Sequence, residues 1–258
     1  MASSHIPTPT STSTRAIVTG HTRGLGDALA AQLLEQGIAV LGVSRRRNPA
    51  LAVRFGALLQ EVELDLASLE RVGAWLSSGD LAAFAKGAAR VVLFNNAGTV
   101  EPIGPLEGQD PLAVAQAVSL NVATPLMLAS AFVAATPDAN DRRIVHISSG
   151  AARNAYPGWS VYCATKAALD HHARAVALDE NRALRICSLA PGVVDTDMQA
   201  TIRSTGTERF PMRERFEEMK RSGKLATPEA SAQKLAGYAL SDAFGSTPTA
   251  DVRELPDS

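Results

Sequence analysis

Tyr162 and Lys166 stand four residues apart in the run Ser160-Val-Tyr-Cys-Ala-Thr-Lys-Ala-Ala-Leu169. On a helix that spacing projects both side chains from one face, so an ammonium sits beside a phenol. A free phenol has a pKa near ~10, and only about a thousandth of it is ionised at neutral pH. A neighbouring cation favours the phenolate, each pKa unit being worth ~1.4 kcal/mol. The expected pair is a proton donor toward a carbonyl oxygen, or a base toward an alcohol. Such pairs also occur on solvated helix faces, so the reading depends on what surrounds them.

Thirteen residues before Tyr162, the run Arg143–Ile147 leads into Ser148-Ser149-Gly150. A serine hydroxyl at that place can donate to a carbonyl oxygen and orient the phenol. Asn121 falls between two helical patterns, where it either holds a water linked to Lys166 or caps a helix.

A second set of residues reads as a dinucleotide site. The run Thr19-Gly-His-Thr-Arg-Gly-Leu-Gly26 places glycines at 20, 24 and 26 between an apolar strand and a helix. Glycines there allow a tight turn and close backbone approach, and the helix N-terminus attracts a pyrophosphate. The next strand ends in Ser44-Arg45-Arg46-Arg47, where NAD sites carry an acid for the ribose 2′-hydroxyl. Guanidinium groups suit a 2′-phosphate instead. Arg45 and Arg23 are the expected partners, Arg47 reads as solvated, and the cofactor expected is NADPH. Asp65-Leu66 is placed to meet adenine, and Asn95-Asn-Ala-Gly98 follows a fourth strand where the backbone can approach the cofactor.

Short β-type runs alternate with helical patterns along the chain: strands at 15–19, 38–43, 58–64, 90–94, 143–147 and 184–189, and helices at 24–36, 67–77, 160–180 and 227–240. Two further helices cover 111–135, broken near Asn121. Alternation of this kind implies parallel pairing through right-handed crossovers, hence a doubly wound α/β sheet with helices on both faces. One domain is expected over 15–258. The charged, Gly/Pro-interrupted stretch 196–224 reads as a substrate lid.

The 258 residues suffice for one large core; 46% are apolar and 20% charged, and the formal net charge of −1 gives no bulk attraction to nucleic acid or anionic membrane. No run of about twenty uninterrupted apolar residues is evident, which speaks against a membrane span. Residues 1–14 are Ser/Thr/Pro-rich and read as a disordered tail, neither signal peptide nor anchor. Two cysteines, Cys163 and Cys187, form no disulfide framework and fit a reducing cytoplasm. The five histidines show no metal-ligand spacing, so no metal is expected. His171-His172 reads as surface or interface.

Taken together, T-G-x-x-x-G-x-G, N-N-A-G, Asn121, I-S-S, Y-x-x-x-K and Pro191-Gly192 resemble the short-chain dehydrogenase/reductase family in order and spacing, over residues 15 to about 253. The resemblance implies a Rossmann-type domain with a seven-stranded sheet. It implies a catalytic tetrad of Asn121, Ser149, Tyr162 and Lys166, with Lys166 also bonding the nicotinamide ribose. It implies cofactor contacts at Gly20, Thr22, Arg23, Gly24, Leu25, Gly26, Ser44, Arg45, Asp65, Leu66, Asn95, Ala97, Gly98, Tyr162, Lys166, Pro191, Gly192, Val194, Thr196 and Met198. Gly158–Lys166 and Ala190–Gln199 look like the sepiapterin reductase and bacterial benzil reductase branch.

For that branch the expected substrate contacts are Ser149, Trp159, Tyr162, Gly192 and Asp251. Trp159 either lines an aromatic pocket with Val193, Met198, Met212 and Phe216 or fills core. The reaction expected is NADPH-dependent reduction of a ketone or vicinal diketone, or of a pterin side-chain carbonyl. A 3-oxoacyl thioester or simple ketone, or a non-catalytic NADPH sensor, is the alternative. A homodimer or tetramer pairing the 121–135 and 160–180 helices is also implied.

Overall fold

A computed structural model describes residues 13–179 and 181–255. Seven strands, β1 (Thr14–Thr19), β2 (Ala39–Ser44), β3 (Leu59–Glu63), β4 (Arg90–Asn95), β5 (Asp141–Ile147), β6 (Leu184–Ala190) and β7 (Thr249–Asp251), form one sheet in the order β3-β2-β1-β4-β5-β6-β7. Every pair is parallel. The helices are α1 (Gly24–Glu35), α2 (Pro49–Phe55), α3 (Leu69–Leu76), α4 (Asp80–Ala85), α5 (Pro111–Val118), α6 (Thr124–Ala135), α7 (Ser160–Val176), α8 (Asp197–Ser204), α9 (Arg213–Arg221) and α10 (Pro228–Leu240).

The strands read as continuous apolar runs because both faces of the sheet are covered. On one face Leu29, Leu33, Leu235 and Ala239, from α1 and α10, pack on Val18, Val40 and Val145. On the other, Val72, Phe84, Leu128 and Phe132, from α3, α4 and α6, pack on Ile17, Leu93 and Ile144. Strand order reverses between β1 and β4, which opens a crevice at the carboxyl ends of those strands.

Several expectations need correction. Thr14 opens β1, and the Ser13 hydroxyl donates to the Gly87 carbonyl at 3.1 Å, so the ordered chain starts before residue 15; residues 1–12 of the expected tail lie outside the described residues. The α2 helix was not expected, although Asn48 caps it by accepting from the Leu51 N–H and Pro49 fits its first turn. The helix from 160 ends at Val176, four residues short of the expected Glu180, which is itself outside the described residues.

The 111–135 segment holds the two expected helices, interrupted at Asn121. α5 and α6 are joined through one π-turn, Ser119–Ala123. Pro125 has no N–H to give the carbonyl of Asn121, and its ring would press on that oxygen. A widened turn accommodates it, and turns of this kind recur at functional sites. Taken through the π-turn, Pro111–Ala135 is the one helix among the described residues long and apolar enough, by length and composition, to cross a membrane. Here Leu128, Ala129 and Phe132 from it are buried in the core beside β4 and β5.

At the opposite edge from the crevice, Arg90, Arg143 and Arg185 from three adjacent strands converge on Asp141 at 2.7–3.0 Å. Arg143 is fully buried and also donates to the carbonyls of Ala239 and Ser241 at the end of α10. The cationic cluster thereby caps a helix C-terminus.

Candidate active site

Tyr162 and Lys166 lie in the first two turns of α7, and three consecutive residues at the end of β5 grip that helix. The Ile147 carbonyl accepts from Lys166 Nζ at 2.8 Å. The Ser148 hydroxyl donates to Asp170 Oδ1 at 2.6 Å. The Ser149 hydroxyl accepts from the Ala151 N–H at 3.1 Å, and its interaction with the Tyr162 phenol favours the ionised form. The strand therefore sets donor, orienting hydroxyl and cation in one register.

The electrostatics differ from the sequence expectation. Burial pushes the Tyr162 phenol up, opposed by Ser149 rather than by Lys166. Lys166 is held by Ile147 with its nitrogen 5.7 Å from the centre of the Tyr162 ring. Burial also brings the Lys166 amine down to about 8, with Asp170 acting against that shift. The phenol thus stays protonated, which suits a proton donor.

Asn121 is buried in the π-turn, and its amide grips both backbone polar groups of Thr99. Oδ1 accepts from the Thr99 N–H and Nδ2 donates to the Thr99 carbonyl, each at 2.8 Å; Nδ2 also lies 3.2 Å from Thr165 Oγ1. It caps no helix. A Cβ on Gly98 would lie 3.2 Å from Asn121 Oδ1 and 3.7 Å from Lys166 Nζ, so these three residues meet at one point.

The glycine turn is packed tightly against its own strand and helix. Gly20 and Gly24 take φ of +72° and +54°, and a Cβ on Gly26 would lie 2.1 Å from the Gly20 carbonyl oxygen. Asn96, which the sequence reading did not single out, ties this turn to β4 by donating to the Thr19 carbonyl at 2.9 Å. Asn95 is turned away: its amide donates to the Pro125 carbonyl and meets His146 Nδ1 at 3.1 Å. Thr22 and Leu25 are half-buried in the turn. Ala97 donates to the Thr19 hydroxyl at 2.9 Å. Asp65 caps its own turn through the Ala67 N–H, and the Leu66 carbonyl accepts from Thr124.

The arginines sort by partner. Arg23 pairs with Asp197 at the start of α8, at 3.0 Å and well exposed. Arg47 pairs with Glu63 at 2.8 Å. Arg45 and Arg46 are exposed beside Ser44, and Ser44 Oγ donates to the Arg46 carbonyl.

Across the crevice, Pro191 accepts from the Ser231 hydroxyl, and Val194 bridges to Ala226. The Thr196 methyl would lie 3.2 Å from a Cβ on Gly24, so this segment closes on the glycine turn. Trp159 is 4% exposed and stacks on Phe210, with centroids 4.6 Å apart, while touching Tyr162 edge-on at 5.4 Å. Phe216, Met198, Met212 and Val193 join the same cluster. Phe210 was missed because one aromatic in a charged stretch carries no periodic signal. Asp251 is buried beside Ala190 with both oxygens on Arg253, whose stem covers Gly192. His172 reaches inward to His146 Nε2 at 3.1 Å, so only His171 is at the surface.

Comparison with known proteins agrees with this geometry. The family model described as short chain dehydrogenase matches residues 14–207. A benzil reductase ((S)-benzoin forming) of Bacillus cereus is 36% identical over 235 residues, covering 88% of this chain and 94% of that protein. A sepiapterin reductase of Bos taurus is 34% identical over 249 residues, covering 90% and 92%. Among solved structures, a short-chain dehydrogenase/reductase from Burkholderia vietnamiensis is 59% identical with a TM-score of 0.70, covering 95% of this chain and 99% of that one. With a seven-stranded parallel sheet, the glycine turn at its switch point and Tyr162 and Lys166 on α7, the chain belongs to the short-chain dehydrogenase family of oxidoreductases.

Proposed function

We propose that this protein is an NADPH-dependent carbonyl reductase whose preferred substrates are aromatic vicinal diketones. The observation that carries the reading is the Ile147 carbonyl's hold on Lys166 one helical turn from Tyr162, which itself lies against the Trp159–Phe210 aromatic cluster. The cradle at Gly20, Gly24 and Gly26 fits a pyrophosphate, and Ser44 with Arg45 and Arg46 fits a 2′-phosphate better than a free hydroxyl. When bound, the cofactor supplies the hydride. Tyr162 gives its proton to the carbonyl oxygen, the Ser149 hydroxyl stabilises charge developing on that oxygen, and Lys166 keeps a positive charge beside the phenol. Asn121 and Gly98 shape the backbone on which Lys166 rests. The segment 196–224 serves as the lid, bringing Phe210 and Phe216 onto Trp159.

Asp251 separates the two substrates suggested by similarity. A pterin needs a carboxylate facing the pocket, whereas both oxygens of Asp251 are held by Arg253, and this supports the diketone. The test is a panel of benzil, a pterin diketone, a 3-oxoacyl thioester and a simple ketone with NADPH, followed at the nicotinamide absorbance, in wild type and Asp251→Ala. Benzil reduction retained in both proteins is expected. Good turnover of the thioester with none of any aromatic dicarbonyl overturns the reading.

The same reading includes a homodimer, or a tetramer of dimers, pairing α6 and α7 across a two-fold axis, and residence in the cytoplasm. Light scattering at micromolar concentration that shows only monomer would remove the dimer.

A further inference from the structure

Asp170 is buried to 2% exposure on α7, one turn beyond Lys166 and two beyond Tyr162, on the same helix face. A carboxylate so deeply buried is costly unless it is bonded and paired. Its Oδ1 takes the Ser148 hydroxyl at 2.6 Å. Among the described residues, its Oδ2 has the long 3.4 Å contact with Arg153 Nε, and Arg153 gives another nitrogen to the Ala250 carbonyl at 3.0 Å. We propose that Asp170 is a positioning residue: through Ser148 it holds the Ser149 turn against α7, and through its charge it maintains the Lys166 ammonium beside Tyr162.

The surroundings of Lys166 leave this task to Asp170. From α7 itself come Tyr162, whose phenol is pushed up and stays neutral, and Asp170. From β5 comes His146, which burial brings down to about 3 and so keeps neutral, with His172 behind it, also lowered. The π-turn offers the uncharged Asn121, and the turn after β5 offers Arg153, which meets Asp170 rather than Lys166. Among the described residues, Asp170 is the acid that opposes the burial of Lys166. The spacing was available in the sequence as an acid four residues after Lys166, but its burial and its bond to Ser148 were not.

The inference rests on the reading of Tyr162 as proton donor, so the experiment carries one readout that needs no turnover. Lysine labelled at its ε-carbon is titrated by NMR in the cofactor-free protein, in wild type, Asp170→Asn and Arg153→Gln. The Lys166 midpoint should fall by about one pH unit in Asp170→Asn, within the range for loss of a close opposite charge. It should rise in Arg153→Gln, where Asp170 loses its competing cation. The alkaline limb of kcat/KM for diketone reduction should move in step, giving about tenfold lower activity at a fixed pH above that limb for Asp170→Asn. A merely structural role would move the melting temperature and leave these midpoints in place. An unmoved lysine midpoint in folded Asp170→Asn, or movement in one direction in both variants, overturns the proposal. Should Asp170→Asn fail to fold, Arg153→Gln decides, and absence of the upward shift overturns it. If the midpoints move as expected but wild type reduces no carbonyl, the reductase reading fails and the assignment of Asp170 stands.

Discussion

The ammonium of Lys166 donates to the carbonyl oxygen of Ile147 at 2.8 Å, and this bond fixes the cation at the floor of the crevice instead of against the phenol oxygen. Tyr162 then depends on Ser149 for its orientation and on Lys166 for longer-range charge. Tyr162→Phe should lower kcat by about 10²–10⁴, the usual worth of a positioned proton donor, while NADPH affinity stays within a few-fold. Lys166→Ala should harm turnover and cofactor affinity together. Stopped-flow turnover and fluorescence titration of NADPH check both, and near-normal turnover in Tyr162→Phe would refute the mechanism.

Reduction should fail on the alkaline side. The Lys166 amine sits at about 8, below its ordinary value, because burial disfavours its charge. Above that pH the ammonium is lost while Tyr162, raised by burial, is still protonated. With NADPH as the varied substrate, kcat/KM should fall about tenfold per pH unit beyond the limb. A profile flat to pH 10 would contradict this assignment.

Cofactor preference should rest on Arg45 and Arg23. A charged hydrogen bond contributes about 1.5–3 kcal/mol, so Arg45→Ala should cost about ten- to a hundredfold in kcat/KM for NADPH and leave NADH unchanged. Arg23 is engaged with Asp197 in an exposed pair, and such pairs contribute about 0–1 kcal/mol. So weak a pair can yield to a 2′-phosphate, and Arg23→Ala should also lower the preference for NADPH. Equal kcat/KM for NADPH and NADH in wild type would rule out the arginine reading.

Asp141→Asn should destabilise the fold by about 3 kcal/mol, because it leaves the buried Arg143 with carbonyl partners only. Three guanidinium groups hold the Asp141 carboxyl well below its ordinary range, against the opposing effect of burial. Its stabilising contribution is therefore fully present above the unfolded carboxyl pKa of about 3.9 and fades as pH falls below it. Urea unfolding at pH 7 and pH 3 should show the wild-type advantage over Asp141→Asn shrinking in acid. An undiminished gap at pH 3 would exclude this origin.

Much of the architecture is legible in local pattern. Alternating strand and helix periods suffice for a parallel sheet, since a strand followed by a helix must return beside itself with one hand. Glycines at 20, 24 and 26 announce the turn because few other residues accept those backbone angles or that approach. The four-residue step from Tyr162 to Lys166 is likewise a property of the helix alone. α2 and the π-turn were readable in principle, from Asn48-Pro49 and from Pro125, yet each signal occupies only one or two residues.

What the sequence by itself determined about this protein is the set of reactive groups and the sheet that carries them, since both follow from spacing within single elements. The tertiary structure alone decided their charge states and their partners. Burial by distant segments raises Tyr162 and lowers Lys166. Arg23 is claimed by an aspartate 174 positions away, and Asp251 is claimed by Arg253. Phe210 closes on Trp159 from another part of the chain, and Ser148 finds Asp170 across the gap between strand and helix. Desolvation and long-range pairing depend on which surfaces meet, and no local period encodes that.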